Sequence, residues 1–202
     1  MLLSTAFIPP VEYFAVLARY SSVYIEACEN YQKQSYRNRC YFCGARGREP
    51  ITVPVVHGNG TFSLPIREIR VDWSTPWEVR AERAIESAYG NSPFFEYYRD
   101  PFFAIIDSRP ERLWDLNMQL IRFFCSKTGI GTELLPTDVY VPHSGLACPE
   151  EDLREAIHPK RVSDYRAKEY FQVFSRKYGF IPNLSVMDLL FNEGPESVCI
   201  LK

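Results

Sequence analysis

The sequence predicts a mixed α/β fold, and three observations carry that expectation. The first is an apolar segment from Leu2 to Phe7, a proline-opened helical segment, and a second apolar segment from Ser22 to Ala27. A strand, a crossover of roughly a dozen residues and a second strand make the smallest β-α-β unit, which implies parallel pairing. The second is a middle stretch of short extended segments separated by glycine and proline, the mark of antiparallel strands. The third is a run of apolar residues at helical spacing between Trp77 and Phe124. Together they describe a Rossmann-like, three-layer mixed sheet with antiparallel central strands and a helical middle.

Element by element, Pro9-Pro10 opens the first helix, whose Val11, Phe14, Leu17 and Ala18 share one face. Cys40 to Phe42 and Ile51 to Val56 read as two strands joined through the Gly44 to Pro50 turn. Ile66 to Val71 reads as a third, beyond the Gly58-Asn59-Gly60 turn. Thr75-Pro76-Trp77-Glu78 has capping-box spacing, and Trp77, Ala81, Ala84, Ile85 and Ala88 then recur at helical intervals up to Gly90. An aromatic helix from Pro93 is expected to break near Pro101, and one from Pro110 carries Leu113, Leu116, Leu120 and Phe124 before Gly129. Beyond Thr132 the chain reads as extended, with Pro136, Pro142 and Gly145 marking a long loop, then an acidic helix from Glu150 to Ile157. Tyr170 to Phe174 is read as returning to the sheet. A final helix runs from about Asn183 to Asn192, with Leu184, Met187, Leu190 and Phe191 inward and Gly194-Pro195 as its stop.

At 202 residues the chain is short of the size at which cores split, so residues 1–202 are expected to form one domain. A hydrophobic fraction of 46% is ample for that core. The formal net charge of -2 removes any global attraction to phosphate backbones, so no nucleic-acid partner is expected and an anion site would have to be local. The opening Met1 to Phe7 is too short for a membrane span and lacks the basic start of a signal peptide, which points to a cytoplasmic protein. Six cysteines in such a chain are expected to stay reduced. Cys40-x-x-Cys43 lacks the second ligand pair that structural zinc wants, so no metal is expected.

No Walker loop, GxGxxG, GxSxG or HExxH occurs. His57, His143 and His158 stand beside no candidate nucleophile in sequence, and Glu150, Glu151 and Asp152 read as charges suited to a helix start. The aromatic run from Tyr89 to Phe103 reads as core. The segment with the densest polar chemistry is Glu29 to Arg39, in the loop after the second strand, where open α/β sheets place their ligands. Arg37 and Arg39 could fork onto phosphate or carboxylate, and Asn30 and Asn38 could read a sugar or an amide. The competing reading is a solvated loop paired to local carboxylates.

Several segments, taken in order, resemble the WbqC-like family of bacterial proteins. They are FIPPVEYF from Phe7, ENYQKQSYRNRC from Glu29, ITVPV from Ile51, WEVRAERAIESAYGNSPFFEYY from Trp77, LWDLN from Leu113 and NLSVMDLLFNEGPE from Asn183. The match looks closest to the shorter form found in Bacteroidetes. The resemblance implies a place in O-antigen or other surface-polysaccharide synthesis, through transfer of glycine or another acyl group to an amino sugar. It assigns the matching polar positions Glu29, Asn30, Lys33, Gln34, Arg37, Asn38, Arg39, Asn183, Ser185 and Asp188 to a site. Longer members carry His-Gln-Pro after the first strand and a His-Trp pair in the tryptophan-led helix. This chain has Thr5-Ala6-Phe7 and Ala81-Glu82 there instead.

The expectation is therefore a transferase with Asp188 or Glu29 as base. Asn30, Lys33, Gln34, Arg37, Asn38, Arg39, Asn183 and Ser185 would bind a nucleotide- or lipid-linked sugar. No cofactor and no oligomeric state can be read from these residues. A non-catalytic binding or scaffold protein of the same pathway, and a nucleotidyltransferase-like enzyme, remain as alternatives.

Overall fold

A computed structural model describes residues 1–58, 61–142 and 151–202. The expected β-α-β unit opens the chain as strand β1 (Leu2–Ser4), helix α1 (Val11–Leu17) and strand β2 (Ser22–Glu26), with β1 and β2 parallel. Strand β5 (Glu133–Pro136) joins the other side of β2, also parallel, so the order is β1-β2-β5. Val23 and Ile25 of the central strand are fully buried, as a strand covered on that face requires.

β1 is shorter than its apolar run because Phe7 leaves the sheet and donates its N–H to the Tyr36 carbonyl at 2.8 Å. The next residue, Ile8, has a φ of +42°, an outlier for a β-branched side chain. It is held there by Pro9 behind it and by Ser185 Oγ, which donates to its carbonyl at 3.0 Å.

The antiparallel strands form a sheet of their own and do not share the parallel one. β3 (Arg39–Gly44) and β4 (Gly47–Thr52) make a tight hairpin in which Gly44 faces Gly47, whose φ of +95° suits the turn. β4 therefore begins earlier than the apolar pattern suggested. Its Arg48, Glu49 and Pro50 carry no apolar signal, and Pro50 is tolerated because the strand is an edge. Beyond it, Val55 makes one isolated bridge to Val71, and Ile66–Glu68 is a single 3-10 turn after Pro65 instead of a strand. Asn59 and Gly60 of the expected turn lie outside the described residues.

Helices α2 (Trp77–Tyr89), α3 (Phe95–Asp107) and α4 (Leu113–Lys127) make the expected helical middle. The Thr75 side chain does not cap α2; instead its carbonyl accepts from Trp77 N at 2.8 Å, and Glu78 turns to Arg109. α3 runs unbroken through Pro101. An interior proline costs about 3 kcal/mol. The neighbouring Phe102 ring packs on Phe103, Phe123, Phe124 and Phe191 with centroids 5.3 to 6.1 Å away. At about 0.5–1.5 kcal/mol per ring pair, those contacts are large enough to hold the helix together.

Residues 151–157 form turns and no α-helix, and Asp152 instead adds a parallel bridge to Leu2 on the outer edge of β1. Leu153 N donates to the Leu2 carbonyl at 2.9 Å in the same place. Tyr170 to Phe174 adds no strand. A short helix α5 (Ser175–Tyr178) leads to α6 (Val186–Glu193), which starts later than the periodicity implied because Ser185 is its N-cap. The chain passes Gly194-Pro195 in a 3-10 turn and ends in α7 (Ser197–Leu201). Val11 N to the Leu184 carbonyl and Val186 N to the Pro9 carbonyl dock the starts of α1 and α6 on each other. One cluster of buried side chains, from Leu3 to Leu201, joins both ends of the chain.

Candidate functional site

The carboxyl ends of the three parallel strands carry a buried polar network. At the end of β1, Ser4 Oγ accepts from Arg37 Nη2 at 2.8 Å. At the end of β2, Glu26 is fully buried, yet all its partners are in place. Its Oε1 accepts from Cys28 N at 2.9 Å and Thr137 Oγ1 at 2.6 Å, while Oε2 accepts from Arg154 Nη1 at 3.0 Å and Val141 N at 3.2 Å. Thr137 follows β5 directly, so one carboxylate stitches two strand ends together.

Two guanidinium forks complete the network. Arg37 meets Glu29 side-on, Nε to Oε1 at 2.9 Å and Nη2 to Oε2 at 2.6 Å, and its Nη1 donates to Gln32 Oε1 at 3.2 Å. Arg154 grips Asp152 in the same bidentate fashion and lies over the Tyr140 ring, 5.3 Å from its centroid. Buried ions of this kind need full pairing to offset their desolvation. Glu155 adds a fourth carboxylate, accepting from Gln32 Nε2 at 2.8 Å and standing 3.7 Å from Arg37. Four carboxylates against two guanidiniums leave the cluster with a surplus of two negative charges.

Beside it opens a cavity of about 530 Å³ lined by Cys28, Glu29, Asn30, Gln32, Tyr140, Arg154 and Glu155. That volume is in the range of small-molecule sites. The lining holds two amides, two carboxylates, a thiol, a guanidinium and a phenol ring. Such a set can hydrogen-bond the hydroxyls of a polar ring, stack on its apolar face and accept from an amine. Cys28 Sγ points to the Asp138 carbonyl at 3.4 Å.

Of the residues singled out from sequence, Glu29 and Asn30 line this cavity and Arg37 braces it from behind. The Arg37 fork is occupied by Glu29, so it is not presented to a phosphate. Asn38 is buried and its Nδ2 donates to the Val53 carbonyl at 2.8 Å, which ties the end of the loop to the residue that follows β4. Arg39 Nε donates to Thr52 Oγ1 at 3.0 Å across the hairpin. Lys33 and Gln34 lie exposed on the loop, Gln34 with a φ of +56°.

The terminal-helix residues are placed elsewhere. Asn183 exchanges hydrogen bonds with Glu12, and Ser185 caps α6. Asp188 is buried. Its Oδ1 accepts from Tyr89 Oη at 3.0 Å and its Oδ2 from Tyr170 Oη at 2.7 Å and Gln172 Nε2 at 2.9 Å. Burial pushes its carboxyl up to about 6, against the opposing pull of those three donors. Asp188 is thus the hub of an internal network and does not line the cavity.

Arg154, Glu155 and Tyr140 were not singled out from sequence. Arg154 and Glu155 sit in a stretch that reads as a short acidic helix. Tyr140 stands in a proline-marked loop, and neither place signals that it turns back over the sheet. His143, Gly145, Cys148 and Glu150 lie outside the described residues. Cys40 and Cys43 are both buried, and no group of three or more His, Cys, Asp or Glu side chains among the described residues is arranged to hold a metal ion.

Compared with known proteins, residues 5–147 match the model of the WbqC-like protein family. The chain belongs to the WbqC-like family. The matched span begins just after β1 and includes α1, β2, the polar loop, the hairpin, the helical middle and β5. The segment from Asn183 to Glu196 lies beyond it. A relative from Mycobacterium tuberculosis, the uncharacterized protein Rv1507c, is 29% identical over 214 residues, covering 95% of this chain and 92% of that protein. No solved structure matches. Within this WbqC-like chain, Glu29, Asn30 and Tyr140 fall inside the family span, whereas Arg154 and Glu155 follow it. No helix among the described residues is long and apolar enough to cross a membrane.

Proposed function

We propose that this WbqC-like protein is a transferase of surface-polysaccharide synthesis that acylates an amino sugar, glycine being one candidate acyl group. The single observation that carries this reading is the cavity at the carboxyl edge of the parallel sheet, whose polar lining has a surplus of carboxylate. An amine is the sugar substituent such a lining suits best. The cations that could have welcomed an anion, Arg37 and Arg154, are both turned onto carboxylates of the protein.

In this reading Asn30 and Gln32 bind ring hydroxyls, and Tyr140 stacks on the apolar face of the sugar. Glu155 is the carboxylate at hand for the amine, because the Glu29 oxygens are both held by Arg37. The amine nitrogen attacks the carbonyl carbon of an activated acyl ester or thioester. The new C–N bond forms as the bond to the leaving alcohol or thiol breaks, and the proton released by nitrogen passes to Glu155. Glu29, expected from the sequence as a candidate base alongside Asp188, acts in this scheme by holding Arg37 and the loop in place.

Isothermal titration with a uridine-diphosphate-linked glucosamine and with its N-acetylated counterpart tests the proposal. The free amine should bind at least roughly tenfold tighter, the size of one charge-assisted hydrogen bond. Equal affinity for the two, or no binding of either, would remove the amino-sugar assignment and leave a binding or scaffold role in the same pathway.

A further inference from the structure

The strip from Arg154 to Arg161 has two sides. Arg154 and Glu155 face the cavity described above, whereas His158 and Arg161 line a second one of about 330 Å³, closed on its other flank by Arg48, Tyr36, Tyr165 and Glu12. The chemistry of this second cavity is the reverse of the first. Among the described residues neither Arg48 nor Arg161 has a carboxylate at ion-pair distance, unlike Arg37 and Arg154.

Arg48 is also held in place. Its guanidinium carbon lies 3.9 Å from the centroid of the Tyr41 ring, and it lines the cavity together with the Tyr36 phenol. A guanidinium can only donate, so it does not compete for the phenol proton of Tyr36. The Tyr36 and Tyr41 rings meet edge to face at 6.2 Å, which fixes the pair. The Tyr36 and Tyr165 hydroxyls are both kept protonated by burial, so both remain donors. The one carboxylate present, Glu12, accepts from Asn183 Nδ2 at 2.9 Å.

We propose that this second cavity is an anion site for a phosphate or diphosphate group, with Arg48 and Arg161 as the paired cations and Tyr36 as a neutral donor in the same lining. A preoriented guanidinium without a carboxylate partner, beside hydroxyls that can only gain by donating, is the arrangement that recognises phosphoryl oxygens. The inference stands on its own lining residues and does not require the first cavity to bind an amino sugar.

The test is titration of the whole chain with inorganic pyrophosphate, with uridine diphosphate, and with phosphatidylcholine vesicles carrying a polyprenyl diphosphate. Pyrophosphate should bind. Its affinity should fall at least about tenfold in Arg48→Ala/Arg161→Ala, the loss expected of a charge-assisted contact. Arg46→Ala, an exposed arginine of the same hairpin already paired to Glu49, should bind as the parent does. Arg48→Lys keeps the charge but loses the planar fork, and should fall between. Of the two larger probes, tighter uridine diphosphate binding supports a soluble nucleotide and tighter vesicle binding a lipid carrier. No pyrophosphate binding by the parent chain, or a double variant within twofold of it at unchanged melting temperature, overturns the site.

Discussion

Arg37 and Glu29, eight residues apart in the chain, form a side-on ion pair at 2.9 and 2.6 Å with side chains only 2% and 7% exposed. Removing the cation alone leaves a buried carboxylate without its partner, which costs about 3–5 kcal/mol. Arg37→Met should therefore lower the unfolding free energy by that order in urea titration. Arg37→Met/Glu29→Leu should recover much of the loss, because two apolar groups have no desolvation to offset. A double variant no more stable than the single one would show that the pair does not act as a unit.

Glu155 sits at the cavity mouth with its side chain 36% exposed, so Glu155→Gln should leave stability within about 0.5 kcal/mol of the parent. The same change should erase the tighter binding of the free amino sugar over its N-acetylated form. If the variant still prefers the amine as strongly as the parent, another group receives it.

The Asp188 carboxyl, pushed up to about 6 by burial, makes a pH signature. The folded state holds its proton between roughly pH 4 and pH 6 where the unfolded chain has released it. Asp188 therefore favours the folded state at the lower end of that window, and the advantage is lost as pH rises through about 6. Comparing the parent with Asp188→Asn, the parent should gain on the variant between pH 7 and pH 4 by on the order of 3 kcal/mol. Parallel stability curves for the two proteins across that range would rule this out.

Gly194 has a φ of +55°, and a methyl group added there would lie 2.6 Å from the Phe94 ring. Gly194→Ala combines a left-handed backbone with a clash against a ring edge. It should cost about 1–3 kcal/mol, read as a lower midpoint in thermal unfolding. An unchanged midpoint would mean that Phe94 moves aside freely.

Burial pushes the Cys43 thiol up to about 11 and the Cys125 thiol up to about 12, with Cys40 higher still, while Cys199 is exposed. A disulfide reagent at pH 8 should label Cys199 in the native protein and reach Cys40, Cys43 and Cys125 only after denaturation. Peptide mapping of the labelled chain reads this directly. Native labelling of the Cys40-x-x-Cys43 pair would contradict the packing of the hairpin.

The elements legible in the sequence were those whose signals are local. The β-α-β unit follows from two apolar runs around Pro9-Pro10, and the ends of α2 and α4 follow from Gly90 and Gly129. What was hidden depends on distant partners. Pro101 reads as a break until the rings of Phe123, Phe124 and Phe191 gather around Phe102. Ile66 to Val71 reads as a strand because its apolar residues serve the core, but its backbone pairs only through isolated bridges, Val71 to Val55 and Arg70 to Arg112, and its first three residues coil into a 3-10 turn. The candidate site divides the same way. Glu29 and Asn30 were legible because the loop after a parallel strand is where ligands bind. Glu155 and Arg161 were not, because their stretch is polar and becomes part of a site only by crossing the edge of β1. Asp188 shows the converse, since a carboxylate in a helical pattern gives no sign that three donors will enclose it.

The crossing of residues 152–161 over β1 has one more effect. Leu2 and Asp152 pair along the flank of the sheet that would otherwise offer unsatisfied backbone groups to another molecule. The stretch that divides one cavity from the other is therefore also a guard against strand-to-strand polymerisation. Loosening it would open the walls of both cavities and uncover a sticky margin in a single event, so the integrity of the two cavities and resistance to self-association should rise and fall together.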